Sequence, residues 1–155
     1  MYYYPEVIAQ AAIDAGFRTV QTGSISNFSS SVQEMEDTYY KINQMNDLVS
    51  YILGFHAEYT ASKKLMKQVA DLADKLHSPV WFHNSETYSE VQDCKQRYGI
   101  TPTSLAYNLG LYRYGGGGYH CVWLEEDDYS ILKNHNIFAV VNPASNLKLC
   151  SCIAP

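Results

Sequence analysis

The stretch PVWFHNSE, residues 79–86, is an apolar run that stops at a histidine, His83, with a carboxylate, Glu86, three residues on. A run of that length, preceded by a long helical stretch and followed by the capping-box pattern T-x-x-E (Thr87, Glu90), reads as a buried strand between two helices. The same pattern recurs along the chain. SYILGFH (50–56) ends at His56, and YGGGGYHCVWL (114–124) contains His120. FRTVQTG (17–23) and IFAVVNP (137–143) complete a set of five strands, the last reaching Asn142.

Helical stretches fill the gaps. Pro5–Ala15 is closed by Gly16, a residue suited to a helix C-terminus. A polar, serine-rich loop (24–31) leads to a helix from Ser31 to about Asn46, with Val32, Met35, Tyr39, Ile42 and Met45 on one stripe. The clearest helix is capped by Ser62 and carries Leu65, Met66, Val69, Leu72, Ala73 and Leu76 at i, i+3, i+4 spacing. Thr87 opens a helix through about Tyr98, and Thr103–Leu109 and Glu125–His135 supply two more. Strands with continuous apolar runs, alternating with helices, predict an α/β fold with a parallel sheet buried on both faces.

In a parallel sheet the C-terminal strand ends form one working face, so His56, His83, His120 and Asn142 are expected to converge there. A single histidine at a strand end is most often a satisfied core or surface group; three on successive strands point to a site. Neutral imidazole is a zinc ligand, and a carboxylate near a metal-activated water can move protons. Glu86 has a second reading, as a first-turn carboxylate favoured by the helix dipole. The glycine run, Gly115–Gly118, precedes the expected strand instead of following one, so it reads as a tight strand entry and not as a phosphate loop.

Bulk properties narrow the classes. The 155 residues suit one domain able to bury about 70 % of its unfolded surface. A net charge of −5 with no Lys/Arg cluster argues against nucleic acid. No apolar run approaches the roughly 20 residues of a membrane span, and the start lacks a secretory pattern, which together predict a cytoplasmic protein. Cys94, Cys121, Cys150 and Cys152 form no CxxC pair; the CSC near the end reads as free thiols or as half of a soft-metal site.

GFHAEYTAS (54–62), VWFHNSET (80–87), GGGGYHCVWL (115–124) and NPASNLKLCSCIAP (142–155), in that order and spacing, resemble the amidohydrolase superfamily. The branch is that of triazine chlorohydrolases and methylthioadenosine/S-adenosylhomocysteine deaminases. The resemblance spans nearly all of residues 51–155, and an HxxE alone would be a weak signal. It implies a partial (β/α)8 barrel, strands three to seven, with zinc or iron at the C-terminal face. By position it makes His83 a metal ligand, Glu86 the proton-moving carboxylate, and His120 the histidine that polarises the attacked centre or orients water. His56 becomes a substrate contact, and Asn142 with residues 145–148 shapes the pocket floor.

The resemblance further implies hydrolysis of a C–N or C–Cl bond in a purine-, pterin- or triazine-like ring. Trp123 stands where the family often has histidine, and Glu58 where it has proline, both bearing on the substrate. The family's first-strand HxH pair and eighth-strand aspartate have no counterpart, and MYYYPE resembles the end of the second strand. The expectation is therefore an internal piece of a barrel, inactive by itself, whose open sheet edges favour homo-oligomers. The alternative is a metal-free nucleotide-binding or interaction module with a flavodoxin-like sheet.

Overall fold

The computed structural model describes residues 4–29 and 31–155. Five parallel strands, β1 (Thr19–Thr22), β2 (Val49–Ala57), β3 (Val80–Asn84), β4 (Gly116–His120) and β5 (Phe138–Val140), lie side by side in sequence order. Among the described residues seven α-helices, α1 (Pro5–Asp14), α2 (Val32–Asn43), α3 (Lys63–Leu76), α4 (Tyr88–Tyr98), α5 (Pro102–Asn108), α6 (Glu126–Asn134) and α7 (Pro143–Lys148), precede, connect and follow the strands. A sheet whose order never reverses has no switch point, which excludes the flavodoxin-like arrangement. It is a half-barrel, as the resemblance implied.

The core lies between the sheet and its helices. Leu53, Phe55, Val80 and Phe82 pack with Met35, Ile42, Met66 and Val69, and the Phe55 and Phe82 rings stack at 4.5 Å. The opposite face is concave and partly open. Register places Val20, Gly54, Trp81, Gly117 and Phe138 on it, and Val20 and Phe138 are 64 % and 66 % exposed.

Helix ends follow the local chemistry. Ser31 accepts from the Glu34 N–H and Glu34 accepts from the Ser31 N–H, a reciprocal cap. α2 stops at Asn43, short of the expected Asn46, because the Asn43 amide exchanges two hydrogen bonds with the Tyr51 backbone and is turned toward β2. α7 was not anticipated. The apolar run reads through to Pro143, but Asn142 and Pro143 begin a helix, Pro143 at its first position, so β5 is only three residues long. Of MYYYPE, residues 1–3 lie outside the described residues; Tyr4 has a φ of 54° and Pro5 opens α1. Ser30 of the serine-rich loop also lies outside them.

The glycines required a correction. Gly116–Gly118 are themselves the first three residues of β4, and CVWL is not strand, because His120 and Cys121 both take positive φ (73° and 49°) and turn the chain. A Cβ on Gly116, at φ 123°, would sit 2.0 Å from the Val80 carbonyl oxygen, and one on Gly117 would strike the Trp81 ring at 2.5 Å. The glycines let β4 approach β3 beneath a large aromatic side chain. No helix among the described residues is long and apolar enough to cross a membrane.

Gly116→Ala should therefore lower the unfolding free energy by roughly 3 kcal/mol or more. Gly99→Ala, at φ 76° with open space around it, should lose only the left-handed penalty of about 1–2 kcal/mol. Urea unfolding of the two variants beside the parent checks the contrast.

Candidate active site

The C-terminal ends of the strands bring the expected histidines together. The His56 and His83 rings lie 5.0 Å apart, and those of His83 and His120 lie 5.5 Å apart. His83 Nδ1 is 2.7 Å from the His56 carbonyl oxygen, which can only accept, so the proton resides on Nδ1 and Nε2 keeps its lone pair. Burial lowers the His83 pKa, outweighing the His56 carbonyl and the Glu86 carboxylate, which act the other way. Burial lowers that of His56 too. Both effects favour the neutral ring.

Glu86 sits in the loop above β3, with Oε2 3.6 Å from His120 Nε2 and Oε1 3.4 Å from Ser151 Oγ. The other nitrogen of His120, Nδ1, lies 2.7 Å from Asn146 Oδ1. His120 thus has an oxygen at each ring nitrogen. His56 Nδ1 meets Thr60 Oγ1 at 2.7 Å, and that hydroxyl donates to the Ala57 carbonyl at 3.1 Å, so it accepts from the ring.

A cavity of about 200 Å³ opens beside His83, lined by Thr22, Gly23, Ser24, Trp81, Tyr119 and Asn142 among others. Asn142 lies two residues beyond the end of β5. Within the 145–148 stretch Asn146 is the buried residue that reaches the site, whereas Leu147 is 65 % exposed. Glu58 departs from expectation: its carboxylate is buried and paired with Arg97 of α4, away from this cavity. Burial raises its pKa against the pull of Arg97. Trp123 anchors the C-terminal segment, its Nε1–H donating to the Ser151 carbonyl at 3.0 Å.

Sequence reasoning missed three contributors. Ser151 carries no motif that links it to Glu86, 65 residues earlier. The end of β1 with the start of the loop after it (Thr22, Gly23, Ser24) lines the cavity, although that loop reads in the sequence only as polar and serine-rich. Glu90 reads as half of a capping box, yet its carboxylate also accepts from the backbone N–H groups of Ser85 and Glu86. The expected thiols are free: Cys94 and Cys121 are buried, Cys150 and Cys152 exposed.

His83 has the features of one metal ligand: a neutral ring, its Nδ1–H held by a carbonyl, and Nε2 ready to donate. Among the described residues no group of three or more His, Cys, Asp or Glu side chains is placed to hold a metal ion. The chain offers a single well-prepared donor and a carboxylate–histidine pair beside it.

The amidohydrolase family matches over residues 1–155. The chain belongs to the amidohydrolase family. It is 31 % identical over 156 residues to a 5-methylthioadenosine/S-adenosylhomocysteine deaminase of Caldicellulosiruptor saccharolyticus, covering all of this chain and 36 % of that protein. It is 36 % identical over 163 residues to a 5'-deoxyadenosine deaminase of Methanocaldococcus jannaschii, again over the whole chain and 39 % of the relative. Among solved structures, an adenosine deaminase from Xanthomonas campestris with bound zinc superposes with a TM-score of 0.87 at 28 % identity, over the whole chain and 37 % of that protein. The chain thus spans little more than a third of the length of the relatives it matches. A triazine hydrolase from Arthrobacter aurescens shares the fold, with a TM-score of 0.83 at 17 % identity over 98 % of this chain and 37 % of the other.

Burial pushes the Glu90 pKa up to about 7 against its backbone hydrogen bonds, above the ordinary 4.5. The folded amidohydrolase chain then holds a proton that the unfolded chain has released, so stability falls as pH rises from about 4.5 to 7. The loss is at most roughly 3 kcal/mol. Glu90→Gln should flatten that part of the stability profile, measured by urea unfolding at pH steps across this window.

Proposed function

We propose that this chain carries the proton-moving part of the active site of a metal-dependent amidohydrolase that deaminates an adenosine-type nucleoside or a related nitrogen heterocycle. The observation that supports it most directly is Glu86, held between His120 Nε2 and Ser151 Oγ, beside a His83 whose Nε2 is prepared as a donor. Both curated relatives described above are deaminases of adenosine derivatives by name.

In this reading His83 is one ligand of a divalent metal, zinc or iron, which when bound supplies Lewis acidity and lowers the pKa of a water to about 7. Glu86 takes a proton from the attacking water and delivers it to the departing nitrogen. His120, oriented by Asn146, directs Nε2 at the same centre, where it steadies charge on the attacked ring or orients the water. His56 and Asn142 border the substrate, with Trp81 and Tyr119 as an aromatic wall. The reaction exchanges a ring C–NH2 for C=O and releases ammonia. A single histidine ligand does not retain a metal stably, since such sites use three or four ligands. Turnover accordingly belongs to a longer polypeptide, and the 155 residues alone are inactive. Four free thiols fit a reducing, cytoplasmic setting.

Ammonia release from adenosine-type nucleosides, read together with metal content, tests this in a polypeptide that adds the rest of the barrel. Glu86→Gln should keep the metal and lower the rate by about 10²–10⁴-fold, and His83→Ala should lose the metal. An unchanged rate in the first variant, or unchanged metal in the second, overturns the assignment.

Among the described residues β1 and β5 are the two edge strands, with Val20 and Phe138 exposed on one concave face. We propose that a second copy pairs its β1 edge with β5 and closes that face, since unpaired edges favour strand addition. Light scattering after size exclusion should give a dimer or larger species that dissociates in Phe138→Lys; a monomer at high concentration contradicts it.

A further inference from the structure

Glu90 does more than close a capping box. In that motif the residue at the third helical position accepts only the N–H of the N-cap, and a neutral glutamine serves as well as a glutamate. Here the N-cap contact, from Thr87 N–H at 3.5 Å, is the longest of three. Glu86 N–H reaches Oε2 at 2.8 Å and Ser85 N–H reaches Oε1 at 3.2 Å. Ser85 takes a φ of 51°, and three consecutive N–H groups converge on one carboxylate.

Glu90 is 4 % exposed. The nearby guanidinium, Arg97, is already paired with Glu58. Burying a carboxylate opposes folding unless hydrogen bonds offset the loss of water. The opposite side of the same loop is also fixed: the Ser85 carbonyl accepts from Val122 and Trp123 N–H at 3.1 and 2.9 Å. Glu86 is thus the residue whose backbone is gripped from one side by Glu90 while its neighbour is gripped from the other. Its side chain then meets His120 and Ser151.

We infer that Glu90 is a positioning residue, whose carboxylate holds the Ser85–Thr87 backbone in the turn that presents Glu86 to His120. The functional weight of this rests on the role proposed above for Glu86; the geometry does not.

The test uses nuclear magnetic resonance on the isotope-labelled 155-residue chain at a pH of about 8, above the Glu90 pKa of about 7. It requires neither metal nor turnover, so its outcome is separable from that of the functional assay. In Glu90→Ala, amide exchange at Ser85 and Glu86 should accelerate by about tenfold or more. The Overhauser contact between the Glu86 side chain and the His120 ring should vanish. Thr87→Ala, which removes the helix cap but not the grip on Ser85 and Glu86, should fray α4 and leave that contact in place. Glu90→Gln, nearly the same shape, decides the matter should Glu90→Ala fail to fold: it should retain the Thr87 cap and weaken the Glu86–His120 contact. An unchanged contact and unchanged exchange in the folded Glu90 variants overturn the proposal. So does a Thr87→Ala spectrum as perturbed at Ser85 and Glu86 as that of Glu90→Ala, which would reduce Glu90 to a helix cap.

Discussion

The register of β3 is the constraint on which the rest depends. It is the central strand, paired on both sides, and its side chains alternate between two environments. Val80, Phe82 and Asn84 enter the layer between sheet and helices, while Trp81 and His83 face the concave side. A slip of one residue exchanges the two sets. His83 would then lie among Met66 and Val69, and Phe82 would face the open side. The glycines of β4 protect that register by making one alignment close enough to bond: Val80 opposite Gly116 and Trp81 opposite Gly117, where larger residues would clash.

Above the strand ends, the loops are fixed by polar groups that are themselves withdrawn from water. Glu58 is paired with Arg97 of α4, and Glu90, in the first turn of α4, with backbone N–H groups; burial raises the pKa of each. These carboxylates are expensive to bury, and well-packed apolar residues of similar size would often be as stable. What they supply is direction. α4 holds the turn after β2, which follows His56, and the turn after β3, which carries Glu86, so two parts of the site share one rigid support.

Much of this was legible in the sequence, for physical reasons that differ by element. The strands and α3 carry periodic apolar patterns, which report burial directly, and His56, His83 and His120 fall at strand ends by simple counting. The spacing of Glu86 from His83 left a helix-dipole reading open, and it was the family resemblance that gave this carboxylate a role. The short helix α7 was hidden because an apolar strand signal runs into it, and Pro143 terminates one element as readily as it begins another. The pairing of Glu86 with Ser151 was hidden because contacts across 65 residues leave no local pattern. Glu58 shows the converse: a substitution at a position next to a site residue reads as a pocket change, yet a side chain two positions along an irregular turn can point to another layer.

The turn at His120 shows most clearly what local pattern cannot reveal. YHCVWL reads as a strand, and in an unbroken strand Tyr119 and His120 would face opposite sides of the sheet. Both rings nevertheless lie near His83, with centroids at 5.8 and 5.5 Å. The two positive φ values at His120 and Cys121 resolve the conflict, since they end the strand at the residue where alternation would send the imidazole toward the helices. Each such residue costs about 1–2 kcal/mol without the freedom of glycine. The Cys121 N–H offsets part of this by bonding the Asn84 carbonyl, as Val122 and Trp123 do with Ser85. A third left-handed residue, Ser85, stands on the receiving side of those bonds. Strain held in place by hydrogen bonds thus gathers at the mouth of the strands, on the face where His56, His83 and His120 converge and where a regular sheet would have been cheaper.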